Sequence, residues 1–294
     1  MRNFKGTFTA LLTPFKNGKI DYPSLDKMIK HQLENGVDGF VINGTTAESP
    51  TLTETEKAEL FKHARKAVGA NVPLIMGTGS NDTAKTIEDS KKAEALGADA
   101  ILVVVPYYNK PPQRGLFAHF KAIAESVKIP TILYNVPGRT ITSLAPETVA
   151  ELAKVNGVVG IKEASGKMDV AEQIIKACGK EFVMLSGDDG TYVDFLNCGG
   201  HGVISVASHV IPKQMVQWKK WVQDGKLAEA KADIQKYMNL IDLLFVEANP
   251  IPVKKAVQLM GLVDSAEMRL PLMELTPEHT EKLKMEMKKV GVLA

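Results

Sequence analysis

The chain has 294 residues and a nearly balanced charge, because 36 lysines and arginines stand against 34 aspartates and glutamates. A net charge of +2 gives no support to nucleic acid or an anionic membrane as a partner. The composition, 45% hydrophobic and 24% charged, is ordinary for a soluble globular protein. No secretory signal and no apolar run of membrane-spanning length is found, so we expect a cytoplasmic protein. Cys178 and Cys198 lack disulfide-framework or zinc spacing, and we expect both to be small core residues.

Short apolar segments alternate with amphipathic segments along most of the chain. The predicted strands are residues 6–12, 37–43, 73–76, 100–105, 129–134, 158–162, 182–185 and 203–206. The predicted helices between them include residues 21–35, 53–68, 83–96, 115–127, 145–155, 170–178 and 191–198. Thr53 and Glu56 have the spacing of a capping box at the start of the second helix.

This alternation predicts the α/β class and a (β/α)8 TIM barrel, because parallel strands need crossover helices and eight such units close on themselves. An open doubly wound sheet is the alternative. It is disfavoured because Asn43-Gly44-Thr45-Thr46-Ala47 is not a glycine-rich phosphate turn.

The alternation stops near residue 224. Apolar residues from Leu227 to Phe245 recur at helical spacing, and Thr276-Pro277 opens a last helix. We therefore predict a catalytic barrel over residues 1–224 and a C-terminal helical domain over residues 225–294. Trp218, Trp221 and the methionines of this part are expected in the core.

One lysine stands near the end of a predicted buried strand, in the run Val158-Val159-Gly160-Ile161-Lys162-Glu163-Ala164-Ser165. Burial of an ammonium is costly, so this lysine must be paired, reach solvent or become neutral. A neutral amine attacks carbonyl groups. The alternative interpretation is structural: the stem packs and the charged head reaches water.

Other polar residues follow the predicted strands, at the barrel face where active sites form. They are Thr45 and Thr46 after the second strand, Tyr107 and Tyr108 after the fourth, Tyr134 and Arg139 at the end of the fifth, and Ser186, Asp188 and Asp189 after the seventh. Each alone is a weak signal, but together they favour a site. No metal-ligand spacing accompanies them, so the predicted chemistry is lysine-based and metal-free.

Four segments resemble the dihydrodipicolinate synthases, a group within the pyruvate-dependent class I aldolase family that also contains N-acetylneuraminate lyase. They are Gly44-Thr45-Thr46-Ala47-Glu48-Ser49, Tyr107-Tyr108-Asn109, Tyr134-Asn135-Val136-Pro137-Gly138-Arg139-Thr140 and Gly160-Ile161-Lys162-Glu163-Ala164. The resemblance spans essentially the whole chain. One departure is Ala47, where many members have glycine, and a methyl group there narrows the freedom of the turn.

The resemblance implies a condensation of pyruvate with L-aspartate 4-semialdehyde in the diaminopimelate route to lysine. It implies that Lys162 forms a Schiff base with pyruvate and that no cofactor or metal is required. Tyr134, Thr45 and Tyr108 are implied as the proton relay, with Tyr108 lent by a neighbouring subunit of a homo-oligomer, expected to be a tetramer built as a dimer of dimers. Thr46 and backbone groups near Gly187 and Ile204 are implied to hold the pyruvate carboxylate, and Arg139 the semialdehyde carboxylate.

The resemblance also bears on regulation, because many relatives are inhibited by lysine. Ser49, Asn81 and Tyr107 match the lysine-sensitive pattern, whereas Lys85 replaces a carboxylate, and Glu54 and Lys57 stand where histidines are frequent. We expect insensitivity to lysine. Three alternative functions remain open: an aldolase acting on a keto-deoxy sugar acid or on N-acetylneuraminate, a non-enzymatic ligand-binding barrel, and a phosphate-binding barrel enzyme.

Overall fold

Eight parallel strands form a closed barrel in the computed structural model, which describes residues 2–294. The strands are β1 Thr7–Ala10, β2 Gly39–Ile42, β3 Leu74–Gly77, β4 Ala100–Val104, β5 Thr131–Asn135, β6 Val158–Glu163, β7 Val183–Ser186 and β8 Gly202–Ser205. Each strand is the neighbour of the strand before it in the chain, and β8 is the neighbour of β1. The predicted TIM barrel is confirmed.

Helices separate and follow the strands. They are α1 Tyr22–Glu34, α2 Glu54–Val68, α3 Thr83–Ala95, α4 Gln113–Ser126, α5 Pro137–Thr140, α6 Pro146–Leu152, α7 Met168–Cys178, α8 Tyr192–Asn197, α9 Pro212–Gln223, α10 Leu227–Leu243, α11 Ile251–Leu259 and α12 Pro277–Lys289. The predicted capping box is present, since the Thr53 hydroxyl accepts from the Glu56 N–H and the Glu56 carboxylate accepts from the Thr53 N–H. Helix α5 and a hairpin of Phe15–Lys16 with Lys19–Ile20 were not predicted.

The register of β5, β6 and β7 sets up the candidate site. Tyr134 of β5 pairs with Lys162 of β6, and Lys162 pairs with Leu185 of β7. Paired residues of neighbouring strands point to the same face of a sheet, so the tyrosine and the lysine lie side by side. Gly160 permits this packing, because a Cβ atom there would lie 2.3 Å from the Val183 carbonyl oxygen.

The chain divides into two compact parts. One comprises residues 2–6 and 73–204, with β3 to β7 and most of β8. Its core includes Ile101, Ile132 and Ile161, all fully buried. As expected for strands covered on both sides, these segments are continuous apolar runs rather than alternating ones.

The other part comprises residues 7–72 and 205–294, and therefore includes β1, β2 and helices α9 to α12. Trp218 is fully buried there, and its indole N–H donates to Asp233 at 2.9 Å. The prediction of a core position is confirmed for Trp218 but is wrong for Met273 and Met285, which are exposed.

The domain boundary predicted at residue 224 falls in the turn between α9 and α10. A separate C-terminal domain over residues 225–294 stays a prediction. Within residues 2–294, no helix combines the length and the apolar character needed to cross a bilayer.

Candidate active site

Lys162 and Tyr134 form the centre of the candidate site. They are 7% and 8% exposed, although both carry polar atoms. The Lys162 Nζ atom lies 4.3 Å from the centroid of the Tyr134 ring, within the range of cation–π contacts. The predicted position of Lys162, near the end of a buried sixth strand, is confirmed. Only Glu163 follows Lys162 in β6.

Gly187 follows β7 and packs against the Lys162 stem. A Cβ atom at Gly187 would lie 2.8 Å from Lys162 Cε, 3.1 Å from Lys162 Cγ and 2.4 Å from Ala164 Cβ. The glycine N–H donates to the Glu163 carbonyl at 2.7 Å. Any larger residue at position 187 would therefore force Ala164, the Lys162 stem or both to move.

A buried polar pair lies next to these residues on the same two strands. The Asn135 amide donates to the Glu163 carboxylate at 2.8 Å, and the Ser165 N–H donates to its other oxygen at 2.6 Å. The side-chain oxygen Oδ1 of Asn135 accepts from the Leu144 N–H at 3.0 Å. The pair thus joins the ends of β5 and β6 to the segment after α5. Sequence reasoning did not assign it a role, although both residues lie in the segments that carry the family resemblance.

The remaining predicted residues of this part lie at other strand ends. Tyr108 follows β4 and is 87% exposed, with a left-handed backbone (φ +73°) that non-glycine residues seldom adopt. Arg139 lies in α5, directly after β5, and is exposed. Ile204 is buried within β8. The structure therefore brings Lys162, Tyr134 and Gly187 into one cluster, and places Tyr108 and Arg139 after two other strand ends and Ile204 within β8.

Thr45 and Thr46 lie in the other part of the chain, in the turn after β2. They begin the 3-10 turn Thr45–Ala47, in which Thr45 is half-buried and Thr46 is buried. The Thr46 hydroxyl accepts from the Asn249 amide at 2.9 Å. Ala47 is fully buried and ends this turn; the left-handed residue is the next one, Glu48. The methyl group of Ala47 therefore occupies an ordinary helical position.

A second buried lysine was missed by sequence reasoning. Lys254 of α11 is fully buried and donates to the Glu48 carboxylate, which is also fully buried. In the sequence, Lys254 looks like a surface residue of an amphipathic helix, so no local signal distinguishes it from Lys255.

Burial shifts the pKa values of a cysteine and two histidines. Cys178 and Cys198 are half-buried rather than core residues, and burial raises the pKa of the Cys178 thiol to about 11. Burial lowers the pKa of His119 and of His209 to about 4, so both rings are neutral at pH 7. His209 accepts from the Leu12 N–H and donates to the Val206 carbonyl, which is a structural role.

The fold and the buried amine define a class: a (β/α)8 barrel enzyme with a strand-end lysine. The model of the dihydrodipicolinate synthetase family matches residues 3–290. The chain belongs to this family.

Relatives agree over the full length. The chain is 76% identical over 293 residues to the 4-hydroxy-tetrahydrodipicolinate synthase of Bdellovibrio bacteriovorus, covering 100% of each chain. It superposes on the crystal structure of dihydrodipicolinate synthase from Thermotoga maritima with a TM-score of 0.97 and 43% identity, covering 99% of each. The synthase structure from Cyanidioschyzon merolae with lysine bound gives a TM-score of 0.95 and 42% identity, covering 100% of each.

Proposed function

We propose that the chain is a lyase that condenses pyruvate with L-aspartate 4-semialdehyde to form 4-hydroxy-tetrahydrodipicolinate. This reaction belongs to the diaminopimelate route to lysine. The observation that carries the proposal is the buried Lys162 amine beside the Tyr134 ring, 4.3 Å from its centroid. The family match over residues 3–290 supports the same assignment.

The first step is imine formation. The lone pair of the Lys162 Nζ attacks the keto carbon of pyruvate, and the keto oxygen takes up protons and leaves as water, with a net uptake of one proton, which yields a protonated imine. The positive charge of this imine lies on the former lysine nitrogen, beside the tyrosine ring. A cation near an aromatic face is attracted to it, so the ring favours the charged intermediate.

The second step is carbon–carbon bond formation. The protonated imine withdraws electrons, so a methyl proton leaves and an enamine forms. The enamine carbon attacks the aldehyde carbon of the semialdehyde. The amino group of the semialdehyde then attacks the imine carbon and displaces Lys162. This step closes the ring and regenerates the free lysine amine.

Protons must enter and leave during these steps. Tyr134 is the proposed shuttle, because its phenol is on the residue paired with Lys162 in the neighbouring strand. Thr45 and Tyr108 are proposed to continue the relay. Tyr108 is 87% exposed, which supports the proposal that its side chain reaches into the active site of a neighbouring subunit in a homotetramer.

Substrate carboxylates need hydrogen-bond donors. Thr46 is proposed for pyruvate: its hydroxyl oxygen accepts from Asn249, which leaves its own proton available for a carboxylate. The backbone near Gly187 and Ile204 is proposed to complete this subsite. The covalent imine serves as the electron sink, so the proposal requires no cofactor. We propose a cytoplasmic enzyme, as suits a biosynthetic lyase.

Borohydride reduction in the presence of pyruvate tests the chemistry, and rate measurements test the substrate. We expect one pyruvyl adduct per chain by mass spectrometry, and turnover with aspartate 4-semialdehyde. Cleavage of N-acetylneuraminate or of a keto-deoxy sugar acid at a comparable rate would instead favour the neighbouring aldolases. Absence of any adduct would favour a non-enzymatic barrel.

Arg139→Ala is expected to raise the KM for the semialdehyde by about tenfold or more, with little change in the KM for pyruvate. The reason is that a guanidinium binds a carboxylate through two parallel hydrogen bonds, and only the second substrate is assigned to Arg139. Steady-state kinetics with each substrate varied in turn measure both constants. Arg114→Ala, in the neighbouring helix α4, is the matched control. Equal changes in both KM values would contradict the assignment.

Free lysine is expected to leave the enzyme active, with half-inhibition above about a millimolar, where binding is worth about 4 kcal/mol. The support is Lys85 of α3, a cation where lysine-sensitive relatives have a carboxylate. Its ammonium is held by Asp89 at 2.6 Å, one helical turn further on.

Initial rates at the KM of each substrate, with and without lysine, measure how sensitive the enzyme is to inhibition by lysine. Lys85→Glu restores a carboxylate and is expected to lower the half-inhibiting concentration. If the unmodified enzyme is half-inhibited by less than about a millimolar lysine, the inference from Lys85 is wrong.

A further inference from the structure

The turn that carries Thr45 contains an unfavourable backbone conformation. Two 3-10 turns, Thr45–Ala47 and Ser49–Thr51, meet at Glu48, whose φ and ψ are 56° and 36°. This left-handed region is sparsely occupied by residues other than glycine, asparagine and aspartate. Glutamate keeps it only where surrounding contacts over-determine the conformation, and such positions cluster at functional sites.

The side chain of Glu48 supplies those contacts. One carboxylate oxygen accepts from Lys254 Nζ, and the other accepts from the Arg269 backbone N–H at 3.0 Å. Lys254 also donates to the Glu267 carbonyl at 3.0 Å and lies over the Phe15 ring, 4.4 Å from its centroid. Both charged side chains are fully buried.

A fully buried ion pair is a poor way to gain stability. Removing two charges from water costs about as much as their attraction returns, and well-packed apolar residues often replace such a pair without loss. Burial lowers the pKa of Lys254, and the Glu48 carboxylate opposes that shift. What the pair does supply is a defined geometry, because each partner must meet the other or be left as an uncompensated charge.

A second tie joins the same two segments. Asn249, which immediately precedes the Pro250 cap of α11, donates to the Thr46 hydroxyl at 2.9 Å. The turn is therefore held on both sides of Ala47 by residues about 200 positions later in the chain. Thr45, the proposed relay residue, is the first residue of this doubly tied turn.

We propose that Glu48 and Lys254 are positioning residues that hold the Thr45 hydroxyl in place for proton transfer. This inference rests on the proposed function, since it assigns the pair to the relay of that reaction. Neither residue touches the reacting atoms in this role; both act through the conformation of the turn.

The test compares Lys254→Met with Lys255→Met, a control from the same helix. The kcat is normalised to the fraction of chains that pyruvate and borohydride label at Lys162, so that only assembled sites are counted. Lys254→Met is expected to lower this kcat by about ten- to a hundredfold, as misplacement of a catalytic group does, with a small change in the KM for pyruvate. The normalised kcat of Lys255→Met should remain within about twofold of the wild-type value, because this change disturbs no transition-state contact.

A double-mutant cycle separates positioning from general support. Thr45→Val removes the hydroxyl, so Lys254→Met added to Thr45→Val is expected to cost almost nothing further in kcat. Independent, multiplicative losses would overturn the proposal, as would an unchanged kcat per labelled Lys162 in Lys254→Met. Where Lys254→Met fails to fold, Glu48→Gln and the Glu48→Gln/Lys254→Met pair, which buries no charge, are measured in the same cycle. Failure of the wild type to form the adduct or to turn over the semialdehyde would instead refute the proposed function.

Discussion

Lys162→Ala is expected to abolish turnover, lowering kcat by about ten thousandfold or more, because the reaction then has no covalent route. The same variant should bind pyruvate without forming a borohydride-stable adduct. Mass spectrometry of the intact protein and of its peptides measures the adduct, and a coupled assay measures turnover. Lys167→Ala, an exposed lysine just beyond the same strand, is the matched control and should keep both properties.

The second buried lysine makes this experiment sharper. Lys254 is also buried, but its ammonium is paired with the Glu48 carboxylate and its side chain has no solvent exposure. The adduct should therefore appear at Lys162 alone. An adduct on Lys254, or wild-type labelling of Lys162→Ala, would show that burial of an amine does not identify the nucleophile in this chain.

Tyr134→Phe is expected to lower kcat by about a hundredfold, the scale of lost general acid–base catalysis. The phenyl ring remains, so the contact with the Lys162 amine and the packing of β5 against β6 should survive. The melting temperature and the extent of pyruvate labelling should consequently change little. Tyr237→Phe is the control, because it removes a phenol from a ring that packs on Trp218 instead.

An unchanged kcat in Tyr134→Phe would remove the phenol from the mechanism and leave only a role for the ring. A loss of labelling equal to the loss of kcat would also be informative. Labelling reports only imine formation, whereas kcat reports the whole reaction. Equal losses would therefore place the phenol in imine formation rather than in the later proton transfers.

The barrel was predictable because its signals are local and repeated. Buried parallel strands are short apolar runs, and the helices between them have capping residues such as Thr53 and Thr276, both of which cap as expected. Helix α5, Pro137–Thr140, was not predicted, because four residues are too few to display a helical period.

The candidate site was predictable to the extent that it lies at strand ends. Lys162 and Tyr134 are identified by position in apolar strands, and the strand register then brings them together. The Glu48–Lys254 pair was not predictable, because its partners are 206 residues apart and no local pattern marks Lys254 as a buried residue. The contact of Gly187 with the Lys162 stem likewise depends on packing that one sequence does not encode locally.

The close packing of Gly187 on Lys162 has a consequence for rotamer entropy. A lysine with a free stem samples many rotamers, and ordering it costs about 2 kcal/mol. Here the backbone at Gly187 packs closely on that stem, and the Tyr134 ring lies beside its amine. The chain loses this freedom when it folds, so a keto acid that reaches the amine meets a nucleophile whose conformations have already been narrowed.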